Sequence, residues 1–334
     1  MSKLGKLASD TLSRLLYATK SQEIAPKLGS VSRFLYEHNH PPSKSLLDDL
    51  LENEWKQRPV VEVLQDPTLK NVVKSNILRL NCPNSYISHA DFKNVFPINR
   101  ERQYSLKNEY ADGFPFHSIK SRNPITLLFQ NAYYLVFQNH IHAAVYYKET
   151  LDKTINGVNL KWEFVNLNKS HLRNLSSPYL GPGAPTSPIK PSSDFPSLFN
   201  SSPQKLAHIN TLLALPENDY KSVEPFNNFH LLSLVMDYNS RAVSVLVRNL
   251  PFGLSKHTLP RLLWDYDLAR SNPIIPLVND PPKEISLNLL RFQSSKCANR
   301  FVRNFHGKRW DTMQHQQKEK KLYDPILCEV LEQE

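Results

Sequence analysis

The sequence predicts an α+β protein in which one βαββαβ unit occurs twice. Residues 74–167 and 242–331 pass through the same order of period-2 strand patterns and period-3.6 helix patterns. Between them, residues 176–203 contain seven Pro and eight Ser, a composition expected to join two bodies rather than to pack. The expected division is a lead-in at 43–73, a first unit at 74–170, a Pro/Ser-rich linker at 171–205, a helical segment at 206–240 and a second unit at 241–334.

In the first unit, "NILRLN" (76–81) reads as a strand. "SHADFKNVF" (88–96) reads as a helix capped by Ser88, with Phe92, Val95 and Phe96 on its buried side. A long connection leads to a strand in "FHSIK" (116–120). "ITLLFQNAYYLVF" (125–137) reads as two strand runs split by Gln130-Asn131-Ala132, a hairpin signature. "NHIHAAVYYKETL" (139–151) is a helix burying Ile141, Ala144 and Leu151, and "INGVNLKWEFV" (155–165) turns at Gly157 into the last strand. Ahead of this unit, residues 43–55 place Leu47, Leu51 and Trp55 one turn apart on a short helix.

Residues 204–240 return to a helical pattern, with Leu206, Ile209 and Leu213 on one face. The second unit opens with a strand at 243–249 and a helix at 255–265. "PIIPLV" (273–278) is an edge-type strand, because Pro276 has no N–H to give a ladder. "ISLNLLRF" (285–292) follows as the next strand. "SSKCANRFVRNFHG" (294–307) is a helix with Ala298, Phe301, Val302 and Phe305 at i, i+3, i+4 and i+7, and Gly307 as its stop. After a polar insertion, "PILCEVL" (325–331) supplies the fourth strand.

A strand running into Asn-Leu-Pro, as "SVLVRNLP" (244–251) does, opens RNA-recognition motifs (RRMs). Both units therefore read as degenerate RRM-like, ferredoxin-like domains. In RNA-reading members, aromatics on the outer face of the central strands stack bases. Here Leu246, Leu287 and Leu289 occupy those positions in the second unit, and in the first Tyr134 keeps one aromatic while Ala132 fills the other. The inward half of the pattern survives in Leu290 and Phe292, and in Tyr133, Leu135 and Phe137. Left uncovered, the three leucines would form an exposed apolar patch, which marks a protein contact or an intramolecular lid. Residues 204–240 are the expected lid, and direct RNA contact is the rival reading for this face.

Charge points to another edge. From Lys296 to Lys321, eight cations (Lys296, Arg300, Arg303, Lys308, Arg309, Lys318, Lys320 and Lys321) face two acids, Asp311 and Glu319, giving +6 of the chain's +10. Arg300 and Arg303 lie off the apolar stripe of their helix, and Trp310 in the following basic arm is placed to stack on a base. Phosphate contact and a merely solvated basic face are both open for this edge.

The chain has 334 residues, and its net charge of +10 and pI near 9.3 favour a polyanionic partner, RNA or an acidic membrane surface. With 8 glycines there is no Gly-rich phosphate loop, and no Gly-x-Ser-x-Gly elbow or His-Glu-x-x-His helix occurs. The expectation is a non-catalytic protein without a cofactor. His38-x-His40 and His140-x-His142 have no partners at ligand spacing and read as surface histidines, with no metal site. Three scattered cysteines, Cys82, Cys297 and Cys328, fit a reducing compartment rather than a disulfide framework. No apolar run approaches the roughly 20 residues needed to span a bilayer. Residues 1–20 set Leu4, Leu7, Ala8, Leu12, Leu15 and Leu16 on one helical face and Lys3, Lys6, Arg14 and Lys20 against one acid on the other. That pattern belongs to a mitochondrial transit peptide, expected within residues 1–35; an ordinary docking helix is the alternative.

In "NAYYLVFQN" with its following helix, "SVLVRNLP", "RFVRNFHG" and a last strand displaced by a polar insertion, the chain resembles a known family. It is the family of yeast mitochondrial translational activators needed to make cytochrome c oxidase subunit 3. The resemblance implies a matrix protein peripheral to the inner membrane. It implies action on a mitochondrial mRNA leader, beside other translational activators and the mitochondrial ribosome, and a link to intron splicing. By position Arg248, Asn249, Arg303, Asn304 and Phe305 are members of its motifs. With Arg291 and Tyr134, the charged and aromatic residues named above complete the expected RNA contacts, while Leu246, Leu287 and Leu289 are the expected protein contacts. A structural or accessory subunit of the mitochondrial ribosome and a protein–protein adaptor are the competing readings.

Overall fold

The computed structural model of the chain describes residues 73–98, 110, 113–181, 183–190, 194–216, 221, 224–251, 257–309 and 324–332. The expected transit peptide, the helix at 43–55, His38, His40, Trp310, Lys318, Lys320 and Lys321 lie outside the described residues.

The described chain is a mixture of helices and antiparallel sheets. Strands β1 (Ile77–Asn81), β2 (Phe116–Arg122) and β3 (Phe129–Phe137) are followed by a short hairpin of β4 (Thr154–Ile155) and β5 (Val158–Asn159), then by β6 (Trp162–Phe164). Helices α1 (His89–Val95) and α2 (His140–Thr150) complete the first half. Next in sequence come α3 (Lys169–Leu175), α4 (Pro203–Ala214), α5 (Asn227–Met236) and α6 (Tyr238–Ala242). The second half comprises β7 (Ser244–Arg248), α7 (Thr258–Leu262), β8 (Ile274–Asp280), β9 (Ile285–Arg291), α8 (Ser295–Phe305) and β10 (Leu327–Val330). The two four-stranded sheets are ordered β2-β3-β1-β6 and β10-β7-β9-β8. Counted along its own strands, each reads 4-1-3-2, the ferredoxin-like order.

Local chemistry explains the element ends. Ser88 and Asp91 form a reciprocal capping box at α1: the Asp91 N–H donates to Ser88 Oγ, and the Ser88 N–H to Asp91 Oδ2. Asn139 and Asn168 cap α2 and α3, each accepting from the N–H three residues on. Pro276 sits in β8, an edge strand, where the register against β9 slips between Pro276 and Val278.

Several sequence expectations change. Residues 129–137 form one strand, not two, and Asn131 is a left-handed residue (φ 54°) inside it. The turn lies earlier, where Asn123 Oδ1 accepts from the N–H groups of Ile125 and Thr126 and Leu127 takes φ 58°. An Asn tolerates the left-handed region in a kinked strand as well as in a turn, so Gln130-Asn131 alone did not discriminate. Leu151 caps α2 and is exposed rather than buried. His140 and His142 are core residues, not surface ones. His140 Nδ1 lies 2.8 Å from the Ser75 carbonyl oxygen, and the His142 ring stacks on Phe114 at 4.2 Å between centroids.

The Pro/Ser-rich stretch is not a bare linker. Its described residues bury Tyr179, Leu180, Ala184, Phe195, Leu198 and Phe199. Few apolar side chains suffice because glycine lets the backbone approach closely: a Cβ on Gly181 (φ 83°) would stand 2.6 Å from Asp237 Oδ2. The same carboxylate accepts from buried Lys205 Nζ at 2.8 Å, and Lys205 also donates to the Ser177 carbonyl at 2.9 Å.

Both sheets belong to one compact unit, residues 60–96 with 112–334. Their edge strands β2 and β10 are joined by charge. Arg122, 2% exposed, donates to Glu329 Oε1 at 2.6 Å, to the Leu331 carbonyl at 2.9 Å and to the Leu127 carbonyl at 2.9 Å. Lys120 Nζ adds a second contact to Glu329 at 3.4 Å. Arg241 of α6 approaches Glu332 at 3.9 Å and donates to the carbonyls of Met236 and Leu175. Burial pulls the Glu329 pKa upward, but Arg122 and Lys120 outweigh it and hold the carboxyl below its ordinary range. At Glu332 burial wins over Arg241, Arg122 and Lys120 and raises the pKa.

Two outcomes are expected. Arg122→Met strands the Glu329 carboxylate and two carbonyls, and is expected to cost about 3 kcal/mol, the lower end for a broken buried pair because Lys120 remains. Urea unfolding reads this, and a loss under about 0.5 kcal/mol, the level of an ordinary surface change, would refute it. Burial also lowers the pKa of His142 to about 4, against 6.5 unperturbed. Between those values the unfolded chain takes up a proton that the fold refuses, so stability falls as pH drops from 6.5 toward 4. For His142 alone the loss is on the order of 3 kcal/mol below that window. His142→Phe keeps a ring against Phe114 and should flatten the decline in denaturation at stepped pH; an identical decline would exclude His142 as its source.

Candidate nucleic-acid interface

The alternation of each strand decides which face is available. In β3, Tyr133 and Phe137 turn toward the helices, with Tyr133 against Phe92 of α1 at 5.3 Å and Phe137 against Tyr146 of α2 at 5.2 Å. Tyr134 and Val136 face the other way with Ile77 and Ile119. That face is roofed by Leu172 and Leu175 of α3, Ile209 and Leu212 of α4, and Leu232, Val235 and Met236 of α5. Tyr134 is 1% exposed and burial raises its pKa. It is a core tyrosine rather than a base-stacking one.

The corresponding face of the second sheet is also covered. Leu246, Leu287 and Leu289 pack with Ile275 and Leu277 against Leu127, Tyr179, Leu180, Ala184 and Leu331. A lid was expected, and one is present, but residues 177–189 of the Pro/Ser-rich stretch form it. The expected lid, residues 204–240, supplies α4 and α5 to the first sheet instead. The strap folds back on itself through the Ile189 N–H, which donates to the Tyr179 hydroxyl at 3.0 Å. Magnitudes decide against base stacking on this face. Burying three leucines contributes roughly 5–9 kcal/mol, whereas two stacked bases return about 2–6 kcal/mol. Arg291 belongs to the strap-side face, half-buried, with burial lowering its pKa and Asp237 opposing that. It is not part of the basic edge.

The exposed basic surface lies on the helical side of the second sheet. Ser294 caps α8, accepting from the Cys297 N–H. Ala298 and Phe301 are buried, with Val302 and Phe305 packed beside them. Lys296, Asn299, Arg300 and Arg303, spaced i, i+3, i+4 and i+7, form the exposed stripe. Lys308 and Arg309 continue it, also exposed. The turn carrying them is fixed, since the Gly307 N–H donates to the Ile326 carbonyl and the Ile326 N–H to the Lys308 carbonyl, both at 2.8 Å. From 296 to 309 the chain has five cations and no acid. Arg300 is paired with Asp265 and lies 5.2 Å from the Tyr266 ring centroid, a cation–π contact.

Arg248, at the end of β7, is exposed. Asn249 takes φ 62° and donates through Nδ2 to the Pro325 carbonyl at 2.9 Å, so its side chain closes a turn rather than offering an amide to a ligand. The structure thus groups Lys296, Arg300, Arg303, Lys308 and Arg309, and separates Tyr134 and Arg291 from them. Sequence reasoning missed Lys120, Arg122, Glu329 and Glu332. The one available signal was two cations in β2 whose period-2 pattern asked for apolar residues. Among the described residues no helix is long and apolar enough to cross a membrane.

A family model described as the Protein PET54 N-terminal domain matches residues 74–190, which span the first sheet, α3 and the strap. Protein PET54 of Saccharomyces cerevisiae (strain ATCC 204508 / S288c) is 25% identical over 238 residues, covering 70% of this chain and 72% of that protein. Protein PET54 of Saccharomyces bayanus is 26% identical over 237 residues, covering 71% and 72%. Among solved structures, a Sxl-lethal protein/RNA complex aligns with 77% of this chain and 99% of that one at 10% identity, but its TM-score of 0.20 is too low to carry an argument. The chain is similar to Protein PET54 over about seven-tenths of its length.

Proposed function

We propose that this chain is a non-catalytic mitochondrial RNA-binding protein built on two degenerate RRM-like units, acting as an mRNA-specific translational activator for cytochrome c oxidase subunit 3. Similarity to Protein PET54 supports the family resemblance, and the doubled 4-1-3-2 sheet order supports the RRM-like reading. One observation carries the RNA contact: residues 296–309 present five exposed cations on the helical side of the second sheet with no acid in that stretch, Arg300 among them pairing with Asp265, while the outer face of each sheet is covered. Phosphates are recognised there by charge, and binding is strongly salt-dependent. The covered faces serve the protein's own architecture, which leaves contacts with other activators and the mitochondrial ribosome to the remaining surface. Matrix localisation and peripheral inner-membrane association follow from the same family reading, as does a part in intron splicing.

Cross-linking followed by sequencing of the bound RNA tests this. Enrichment of one mRNA leader is expected, and uniform recovery of ribosomal RNA would replace the activator with a ribosomal subunit. On the purified chain, joint replacement of Arg303, Lys308 and Arg309 by Gln should lower the slope of log affinity against log salt by about 2, at roughly 0.7 per single-strand phosphate contact. The same change at Lys318, Lys320 and Lys321 measures the arm. If neither triple variant alters affinity or slope, the basic edge is only a solvated surface.

A further inference from the structure

The residue that fits least well with a merely solvated helical side is Trp264, 82% exposed just beyond α7. Leu259 and Leu263 are buried, and the chain leaves the helix at Leu263 (φ −106°, ψ 39°), so Trp264 follows in the turn after it. Its neighbours are anchored to α8. Asp265 pairs with Arg300, and the Tyr266 ring meets Phe301 and Phe305 edge-on at 5.7 and 5.9 Å. Asn304 Nδ2 also donates to the Tyr266 hydroxyl at 2.8 Å. Trp264 is therefore the immediate neighbour of a segment anchored to the helix that carries Lys296, Arg300 and Arg303, instead of sitting on a free loop.

We infer that Trp264 is the stacking platform of a single-stranded RNA site on the helical side of the second sheet, with the α8 stripe taking the backbone phosphates. The inference rests on the RNA-binding reading above and gives that reading a base-contacting residue. Residues 257–270 and 295–305 carry Arg261, Arg270, Lys296, Arg300 and Arg303 against Asp265 and Asp267, five against two, so the patch is net positive and favours a polyanion over a basic or apolar partner. Asp265 is already neutralised by Arg300. A single strand is specified because only an unpaired base can present its face to an indole, and such stacking tolerates any base. Both sheet faces, where aromatics would do this in an RNA-reading RRM, are closed. The exposed aromatic and the exposed cations coincide on the opposite side.

Fluorescence anisotropy of the full chain with a labelled single-stranded oligouridylate tests the site. Trp264→Ala is expected to weaken binding roughly 5- to 100-fold, the loss of one stacked base, with the salt slope unchanged. Trp264→Phe should recover most of it. Lys296→Gln with Arg303→Gln should instead lower the slope by about 1.4. Because the indole is exposed, circular dichroism and thermal unfolding of Trp264→Ala should match the parent. If the parent binds the oligonucleotide and Trp264→Ala binds equally well, the stacking site is wrong and the RNA-binding reading stands. If the parent does not bind at low salt, both fail.

Discussion

The arrangement of the two sheets depends on one guanidinium. Arg122 reaches from the edge of the first sheet and donates to Glu329 of the last strand, to the Leu331 carbonyl beyond it and to the Leu127 carbonyl of its own hairpin. Removing a charge from water is expensive, and the interaction returns that cost only when the geometry satisfies most donors and the partner is ionised. Lys120 and Arg122 together keep Glu329 in that state. Once β2 and β10 are joined, Leu127 and Leu331 are brought over the face of the second sheet, where they meet Leu246, Leu287 and Leu289. The strap closes over the same face, and its course is fixed at Asp237 by Lys205 and by the absence of a side chain at Gly181. The ion cluster, the strap and the closed sheet face form a continuous assembly, and each supports the next.

Much of the fold was legible because periodicity is a local property. The short apolar runs at 77–81 and 244–248 and the i, i+3, i+4, i+7 pattern of 298–305 are set by the residues themselves. The outcome for Leu246, Leu287 and Leu289 was legible to the level of "covered", since leucines at base-stacking positions require a partner. Which segment covers them was not. A stretch with seven prolines and eight serines reads as a tether by composition, and its packing depends on a few apolar side chains and on two close approaches by glycine, at Gly181 to Asp237 and at Gly183 to Ser201. Tyr134 shows the same limit from the other side. Its alternation onto the outer face was right, but exposure is decided by α3, α4 and α5, which arrive from distant sequence.

His140 and His142 were misjudged for a related reason. Spacing argued against a metal site but carried no information about solvent. Helix α2 is buried on most of its circumference, so residues that a single apolar stripe would place outside are inside. Burial also pushes the His142 pKa down. The exposure of Lys296, Arg300 and Arg303, by contrast, was legible, because a charged stripe opposite an apolar one is written into a single helix. Arg291 was the exception: the parity of β9 puts it with Leu289 on the strap side, away from α8.

The same geometry bears on the insertion between α8 and β10. Its two ends are pinned together where the Gly307 N–H meets the Ile326 carbonyl and the Ile326 N–H meets the Lys308 carbonyl. Lys308 and Arg309 therefore follow α8 in a fixed turn, and their charge adds to that of Lys296, Arg300 and Arg303. With both outer sheet faces closed, the connectivity of the last helix and strand sets five exposed cations along α8 and the turn after it. One of them, Arg300, pairs with Asp265, the neighbour of the exposed Trp264.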